Sequence, residues 1–461
     1  MGTVFVGGQV VSPQGACRAD LRVEGERIDA VGFGLLRRGD ETVDVAGQLL
    51  LPGGVDGHTH FDLPAGEFRT ADDFASGTRA ALAGGTTTVV DYATQFRGQT
   101  LAQGVEAWHA LAEGRAFCDY GFHLAVTDWN EGVGREVPAV VEGGIPSFKM
   151  YMAYKGALQV DDGVLLRMAR VLAPLGGLLC VHCENGDLVA ALQEDLFARG
   201  ERGPRAHPLS RPAEAEAEAV HRMTVLAELA GAPLLVVHVS AARSLEVLRA
   251  ARSRGGRVFA ETCPQYLLLD EGRYLLPPEE ARKFVLSPPL RTREDQSALW
   301  EALDRGEVDT VATDHCSFHA RGQKDRGAED FRRIPSGLPG VEHRMELLYS
   351  AGVAEGRLSL GRYVEALCAR PARLFGLYPR KGVLAPGSDA DLVVLDPLGS
   401  RILRASEQVQ RVDYCPYEGM EVRGRIEQVY LRGRRVVHRG RLLEGPPGGV
   451  YLRRRPFEGR N

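Results

Sequence analysis

The middle of the chain repeats one pattern, in which a short apolar run ending in polar residues is followed by a longer stretch with helical periodicity. Strands that alternate with helices predict a parallel sheet with helical crossovers, and eight repeats favour an α/β fold of the (β/α)8 TIM-like barrel type. A doubly wound sheet is the alternative, but neither GxGxxG nor GxxxxGK[ST] follows any of the runs. The predicted strands are residues 53–60, 86–92, 120–126, 145–154, 177–184, 233–240, 257–265 and 308–316.

The two ends of the chain have a different pattern. Residues 1–50 form short alternating runs such as TVFVGGQVV, and similar text returns in DADLVVLDP and VRGRIEQVYLRGRRVVHRGRLL. These runs predict a small β-sandwich domain assembled from both termini. The predicted divisions are 1–52 plus 376–450 for the sandwich, 53–375 for the barrel and 451–461 for a C-terminal tail. Arg453 to Arg455 are interpreted as a solvated segment or an oligomer contact.

The composition excludes several classes of partner. Charged residues make up 25 % and hydrophobic residues 44 %, as in an ordinary soluble globular protein, and the net charge is −5. We therefore expect no nucleic-acid and no membrane partner. The eight cysteines are scattered and form no CxxC pair, which predicts reduced thiols in a cytoplasm.

Most of the predicted strands end in a residue that can bind a metal ion or transfer a proton. In barrels of this type the C-terminal strand ends carry the chemistry. His58 and His60 are two residues apart on a strand, so both side chains face the same way, and this spacing suits two nitrogens on one ion. His182, His238 and Asp314 end three further strands. A single histidine at a strand end is usually a hydrogen-bonded core residue. That explanation does not account for four histidines and an aspartate at the same end of one barrel.

Lys149 is the anomalous residue of the set. The chain has five lysines against 51 arginines, and Lys149 lies in IPSFKMYMAY, which is typical of a buried strand. A lysine that snorkels at a strand end is the ordinary explanation. Four histidines and an aspartate, however, exceed the ligands of one tetrahedral zinc with an open position, and they fit two metals that need a bridge. A buried amine is pushed toward its neutral form, can add CO2, and as a carbamate could bind both metals.

The sequence resembles the cyclic amidohydrolases of the dihydropyrimidinase and D-hydantoinase family, within the metal-dependent amidohydrolase superfamily. The resemblance extends from about residue 50 to residue 425. It rests on GGVDGHTHFD, TADDFASGTRAALAGGTTTVVDY, SFKMYMAYKG, VHCENGDL, VVHVSAARS, ETCPQYL, LSPPLR, TDHCSF, IPSGLPGVEHR and DYCPYEGMEVRG.

The resemblance implies a complete dinuclear metal site. Ligands of one metal would be His58, His60 and Asp314, ligands of the second His182 and His238, and carbamylated Lys149 (N6-carboxylysine) would bridge both. The metal expected is zinc, with manganese or iron as alternatives. The implied activity is a hydrolase of pyrimidine degradation: a metal-bridging hydroxide would open a dihydropyrimidine or a 5-substituted hydantoin to an N-carbamoyl amino acid.

The resemblance also implies roles around the metals. Asp314 would pass the hydroxide proton to the leaving ring nitrogen, or it would be a ligand only. Tyr154 would donate a hydrogen bond to the oxyanion of the tetrahedral intermediate. Ser287 and Ser336 match positions that hold the imide edge of the substrate, although the family pattern has Asn where Ser336 stands. If that side chain is used, the substrate preference shifts.

Other residues receive weaker assignments. The lid positions facing the ring substituent are Phe61, Leu63, Ala65, Tyr151 and Leu158, and the small Ala65 and Leu158 predict a roomier pocket, unless these residues simply pack the barrel rim. Asp91 and His123 are expected to support the site or the fold, and Glu184 and Asn185 to orient His182. The histidines without motif support are His207, His221, His343 and His438.

Three rival functions remain at this point. Dihydroorotases carry Arg two residues after the second His, where this chain has Asp62, and allantoinases open a similar ring. Non-catalytic scaffold relatives lack metal ligands, whereas all six are present here. We expect a small-molecule cyclic ureide substrate and, from the family, a homotetramer or homodimer.

Overall fold

The computed structural model describes residues 1–457. Seven short strands make up the N-terminal β-structure. These strands are β1 (Gly2–Val6), β2 (Gln9–Ser12), β3 (Gly15–Arg18), β4 (Asp20–Glu24), β5 (Arg27–Gly32), β6 (Glu41–Asp44) and β7 (Leu49–Pro52). One sheet has the order β5-β4-β1-β6, with β1 antiparallel to β4 and parallel to β6. The other three strands belong to a second sheet that also takes strands from the C-terminus.

The barrel follows directly after β7. Its first strand, β8 (Gly54–Thr59), precedes a short hairpin of β9 (Pro64–Ala65) and β10 (Phe68–Arg69). Within residues 1–457, β8 and seven further parallel strands form one sheet in chain order. The seven are β11 (Thr86–Gln95), β12 (Asp119–Val126), β13 (Ser147–Tyr151), β14 (Leu178–His182), β15 (Leu234–Val236), β16 (Val258–Thr262) and β17 (Thr310–Val311). The predicted TIM-like barrel is confirmed.

Residues just beyond the last strand close the barrel. β17 has only two residues, shorter than the predicted 308–316. His315, further along, pairs in parallel with Thr59, and the His60 N–H donates to the His315 carbonyl over 2.9 Å. The first and last strands therefore meet at their C-terminal ends, where the metal-ligating side chains were predicted.

Helices between the strands cover the outside of the barrel. Side-chain caps begin several of them; Asp73 and Thr100, for example, each form a reciprocal capping box with the third helical residue. The helices are α1 (Phe74–Ala83), α2 (Leu101–Ala112), α3 (Glu131–Glu142), α4 (Asp162–Leu172), α5 (Gly186–Ala198), α6 (Ala206–Leu209), α7 (Ala213–Ala230), α8 (Ala242–Ser253), α9 (Pro264–Leu268), α10 (Pro278–Ala281), α11 (Arg293–Asp304), α12 (Arg344–Leu348), α13 (Leu360–Val364) and α14 (Arg370–Leu374).

The second terminal sheet joins the two ends of the chain. Its C-terminal strands are β18 (Leu392–Ile402), β19 (Glu421–Leu431), β20 (Arg434–His438) and β21 (Arg441–Leu442), and the strand order is β21-β20-β19-β18-β7-β2-β3. Phe5 and Leu21 from the first sheet and Leu50, Leu392 and Tyr430 from the second share one apolar core. This is the predicted sandwich from both termini, and we propose 1–52 plus 376–450 and 53–375 as the domain limits.

The segment after the sandwich lies against the barrel. The Leu452 N–H donates to the Tyr120 carbonyl over 2.7 Å, and the buried Arg454 guanidinium donates to Ser147 Oγ over 2.7 Å and to the Phe375 carbonyl over 3.2 Å. The interpretation of Arg453 to Arg455 as a solvated segment is therefore wrong for Arg454, which, like Leu452, fills space near the N-terminal ends of β12 and β13. Residues 458–461 of the predicted tail lie outside the described residues.

None of the helices in residues 1–457 combines the length and the apolar character that crossing a bilayer requires. All eight cysteines lie within this range as free thiols, and seven of them are buried.

Candidate metal centre

The predicted ligands come together at the C-terminal end of the barrel. His58 lies in β8, Lys149 in β13 and His182 at the end of β14, while His238 and Asp314 follow β15 and β17. Parallel strands bring their C-terminal ends to one rim, so residues far apart in sequence become neighbours. All of these side chains have little contact with solvent.

The ligand atoms form two groups that touch each other. Nε2 of His58 and Nε2 of His60 each lie 3.1 Å from Oδ1 of Asp314. Nδ1 of His182 lies 3.0 Å from Nε2 of His238. Lys149 Nζ lies 3.1 Å from His58 Nε2 in the first group, and the His58 and His238 rings bring the two groups within 5.5 Å, centroid to centroid. The first group is a compact three-ligand cluster, its donor atoms all within 4.8 Å of one another.

The hydrogen bonds of two histidine rings decide which nitrogen faces the centre. His58 Nδ1 lies 2.7 Å from Glu261 Oε1, and His182 Nε2 lies 2.8 Å from Glu184 Oε2. A carboxylate accepts a hydrogen bond from the ring N–H, so the opposite nitrogen presents its lone pair inward. Two inward lone pairs 3 Å apart repel each other unless a cation lies between them, and the donor set therefore fits metal ions.

Burial keeps most of these rings neutral, which is the form that binds a metal. It lowers the pKa of His60 to about 4 and lowers the pKa values of His182 and His238 below the ordinary value. His58 differs, because burial lowers its pKa but Asp314 and Glu261 outweigh that effect and raise it. The carboxylates around His58 thus favour positive charge at this point, as a metal ion would supply.

Lys149 is buried without a partner of opposite charge at Nζ among residues 1–457. Its neighbours are the Tyr92 and Tyr151 rings, with Nζ 4.5 and 5.4 Å from the centroids. Burial lowers the pKa of Lys149, and the more distant Asp314 and Glu261 only partly oppose this. The amine is therefore pushed toward the neutral, nucleophilic form.

Three predicted site residues have strained backbone. Tyr154, His238 and Asp314 have φ values of 70°, 42° and 51°, a left-handed conformation that side chains other than glycine rarely adopt. Such strain persists only where the surroundings enforce it, and it concentrates at functional sites. Here it turns the chain at strand ends so that the side chains point into the barrel mouth.

A cavity of about 950 Å³ opens above the ligands. Tyr154, Ser287 and Ser336 line it together with His60, Lys149, His182, His238 and Asp314. The Tyr154 ring lies 5.1 Å from the His182 ring, and burial raises the pKa of its phenol, which therefore stays protonated as a donor. Ser287 Oγ and Ser336 Oγ are 2.8 Å apart and form one polar edge of the cavity.

The lid assignments divide in two. Leu63, Ala65, Tyr151 and Leu158 line the cavity, the first two in or next to the β9–β10 hairpin. Phe61 is fully buried away from it, with its ring 5.6 Å from Phe74 and 5.5 Å from His315. Assigning Phe61 to the lid is therefore wrong, because its side chain packs between β8 and α1.

The supporting residues also divide. Asp91 accepts hydrogen bonds from Thr59 Oγ1 at 2.7 Å and from the Phe61 N–H at 2.9 Å, and so fixes the turn that carries His60. His123 bonds Ser147 Oγ and the Gly57 carbonyl, a role in the fold.

Glu184 orients His182, as described above, but Asn185 does not. The Asn185 side chain accepts from the Leu188 N–H and caps α5, so its predicted role is wrong. Asn before a helical pattern is a capping signal that the sequence displayed.

Sequence reasoning missed Glu261, Tyr92 and Arg211. Glu261 lies within the seventh predicted strand, 257–265, the only one of the eight to which no site or supporting residue was assigned, and that gap was the available signal. Arg211 bonds the Glu184 carboxylate and lies 5.4 Å from the Tyr154 ring.

Of the four histidines without motif support, His207 alone lines the cavity. Its Nε2 lies 2.7 Å from the Leu286 carbonyl.

Comparisons with known proteins agree with this geometry. Residues 49–436 match the model of the Amidohydrolase family. The chain is 47 % identical to a D-hydantoinase of Streptomyces coelicolor over 98 % of each chain, and 44 % identical to a D-hydantoinase of Geobacillus stearothermophilus over 98 % of this chain and 96 % of that one. The structure of a dihydropyrimidinase from Brevibacillus agri superposes with a TM-score of 0.98 at 42 % identity, covering 100 % of both chains.

Proposed function

The chain belongs to the amidohydrolase family, in its hydantoinase and dihydropyrimidinase branch, and we propose that it opens dihydropyrimidines or 5-substituted hydantoins to N-carbamoyl amino acids. It is a hydrolase of cyclic amides. The observation that carries the proposal is the convergence of two buried ligand groups and Lys149 beneath one cavity. The cavity, of about 950 Å³, has room for a substituted hydantoin or dihydropyrimidine ring.

The same residues would hold two divalent ions, and zinc suits their nitrogen and oxygen donors. His58, His60 and Asp314 would bind one ion and His182 and His238 the other. Lys149, neutral because it is buried, would take up CO2, and its carbamate would bridge the two. Bound in this way, the ions would lower the pKa of water toward 7 and supply a nucleophile at neutral pH.

Side chains of the protein would then transfer the proton and stabilise the negative charge that develops on the substrate. Asp314 faces the barrel mouth and would accept the proton of the attacking water, then deliver it to the leaving ring nitrogen. Tyr154, protonated and beside His182, would donate to the oxygen that becomes negative. Ser287 and Ser336 would bind the ureide edge and so fix which carbonyl carbon is attacked.

The rival functions have less support. Asp62 occupies the place of the arginine that grips an acidic ring in dihydroorotases, and its carboxylate accepts from the Phe74 N–H instead of facing the cavity. The relatives compared above are hydantoinases and a dihydropyrimidinase, not allantoinases. A scaffold without catalysis would not need the converging ligands.

Ring opening by zinc-loaded protein in bicarbonate tests the proposal. The substrates are dihydrouracil, 5-phenylhydantoin, allantoin and dihydroorotate, with Lys149→Ala as the control. We expect turnover of the first two, its loss in the control, and two zinc ions per wild-type chain. Protein that binds two metals but opens neither ring would contradict the substrate class and leave the metal site standing.

We also propose a cytoplasmic homotetramer or homodimer. Free, mostly buried thiols fit a reducing compartment. Light scattering after size exclusion would give the assembly, and a monomer would contradict this proposal without affecting the chemistry.

A further inference from the structure

A second buried lysine lies behind the polar edge of the cavity. Lys324 is fully buried in a 3-10 turn, Lys324–Gly327, and its side chain does not line the cavity. In a chain with 51 arginines and five lysines, a lysine kept inside the protein calls for a physical reason.

Lys324 Nζ joins two loops. It donates to the Val285 carbonyl over 2.8 Å and to the Pro335 carbonyl over 2.9 Å. Val285 lies two residues before Ser287, and Pro335 lies immediately before Ser336. One amine therefore connects the two backbone segments that carry the facing hydroxyls.

No other charged contact accounts for Lys324. Among residues 1–457 no carboxylate pairs with its Nζ, and the group that favours its charged form is the Cys316 thiol. Burial lowers its pKa to about 7. A neutral amine still has two N–H donors, the number needed for two carbonyls, so the connection holds in either protonation state.

The loops also share apolar contacts. Val285 and Ile334 belong to one buried cluster with Phe331. The Gly337 N–H adds a backbone hydrogen bond to the Val285 carbonyl over 3.0 Å. These contacts keep the loops near each other. The amine also fixes the distance between the Val285 and Pro335 carbonyls, because it bonds both of them. Removal of the amine is therefore expected to loosen the serine pair without unfolding the protein.

We infer that Lys324 is a positioning residue that sets the separation of Ser287 and Ser336, and thereby how tightly the cavity binds the ureide edge of the substrate. The inference rests on the proposed ring-opening function, because it assigns those hydroxyls to the substrate. Lys324 lies outside the cavity lining, and its Nζ bonds only backbone carbonyls. Its loss should therefore affect substrate binding more than the chemical step.

Steady-state kinetics of Lys324→Met test this directly, since methionine fills a similar volume without a donor. KM for dihydrouracil or 5-phenylhydantoin should rise about tenfold, the effect of losing well-placed hydrogen bonds, while kcat falls less and two zinc ions remain bound. Lys324→Gln keeps an NH2 group and should restore part of the affinity. Lys283→Met, at a partly exposed lysine nearby, is the matched control and should keep the wild-type KM.

A double-mutant cycle separates positioning from general damage. If Lys324 acts through the serine pair, Lys324→Met should cost clearly less in a Ser336→Ala background than in the wild type. Equal costs in both backgrounds, or an unchanged KM in folded Lys324→Met, would overturn the inference. Should Lys324→Met not fold, the same cycle with Lys324→Gln decides.

Hydrogen exchange gives a reading independent of activity. In Lys324→Met, amide exchange should accelerate in the peptides covering 285–290 and 334–341 and stay unchanged in β11 and β12. Wild-type protein without ring opening would refute the proposed function while leaving this loop measurement valid. Active wild type with unchanged exchange and KM in the variant would refute the role of Lys324 alone.

Discussion

Lys149 and Lys381 are both buried lysines in a chain that otherwise prefers arginine, yet their surroundings are opposite. Lys149, at the mouth of the barrel, faces aromatic rings and the imidazole of His58. Lys381 lies where the sandwich meets the barrel, and its Nζ is 2.6, 2.9 and 2.7 Å from carboxylate oxygens of Asp119, Asp389 and Asp391.

Burial acts on both amines in the same direction, since it disfavours the charged form. The pKa of Lys149 is lowered because its few charged neighbours do not offset burial. The pKa of Lys381 is raised because Asp391, Asp119 and Asp389 outweigh burial. The neighbours therefore decide whether a buried lysine becomes a reactive amine or a fixed cation.

The largest effect is expected from Lys149→Ala. Without an amine to carry the proposed carbamate, turnover should fall at least about a thousandfold, because the two proposed metals would lose their common ligand. The unfolding free energy of metal-free protein should change far less than in the Lys381 variant below. Added acetate or propionate, which supplies a free carboxylate to the vacated space, should restore part of the activity. Turnover near wild type would show that Lys149 is an ordinary buried lysine.

Lys381→Met removes the cation at the contact between the sandwich and the barrel. It leaves the buried Asp391 without a cationic partner, which should lower the unfolding free energy by about 3–5 kcal/mol. Asp119 keeps its pair with Arg432, and Asp389 keeps its pairs with Arg27 and Arg380. Urea unfolding measures this, with Lys283→Met, in its surface pair with Glu280, as the control. Folded Lys381→Met should keep the wild-type kcat. A large loss of kcat with little loss of stability would reverse the two roles.

Glu261→Gln tests how a carboxylate near Lys149 affects the proposed metal site. Glu261 bonds His58 Nδ1 and also pulls Lys149 toward its charged form. The zinc concentration needed for half-maximal activity should rise about 10–100-fold, as for other losses of a carboxylate behind a ligating histidine. Saturating zinc should restore most of the turnover. Asp91→Asn changes bonds to Thr59 and Phe61 but leaves the His58–Glu261 bond intact, so it should need a smaller increase in zinc.

The smallest effect concerns the pH dependence of stability. Because the folded pKa of Lys381 lies above its ordinary value of 10.5, its stabilisation is fully present below pH 10.5 and is lost as the pH rises through the folded pKa. The difference in unfolding free energy between wild type and Lys381→Met should therefore stay constant from about pH 7 to 10 and decline above that range. A decline already between pH 7 and 9 would mean that Lys381 is not held as a cation.

The metal site was more predictable than the lysine environments. His58, His60 and the other ligands end apolar strands, and parallel strands must bring their C-terminal ends together, so position in the pattern implied position in space. The partners of Lys381 come from Asp119 in the barrel and from the segment before β18. No periodicity connects residues 119 and 391, so only the folded packing shows that they meet.

The errors have the same origin. Phe61 was assigned to the lid because its position matches a lid position of the family, but its ring packs in the core against Phe74 and His315. Glu261 was missed because a single acid at a strand end carries no spacing information. Lys324 lies in a 3-10 turn whose sequence shows neither strand nor helix periodicity, so its burial cannot be inferred from the pattern.

The segment 449–457 has a consequence for synthesis. The ribosome makes these residues after every segment they contact, including β12 and the turn at Phe375. The nascent barrel therefore emerges with all its strands but with an uncovered rim around Tyr120 and Ser147. Chaperones that recognise exposed apolar surface have that interval in which to bind, and it ends only when Leu452 and Arg454 leave the exit tunnel.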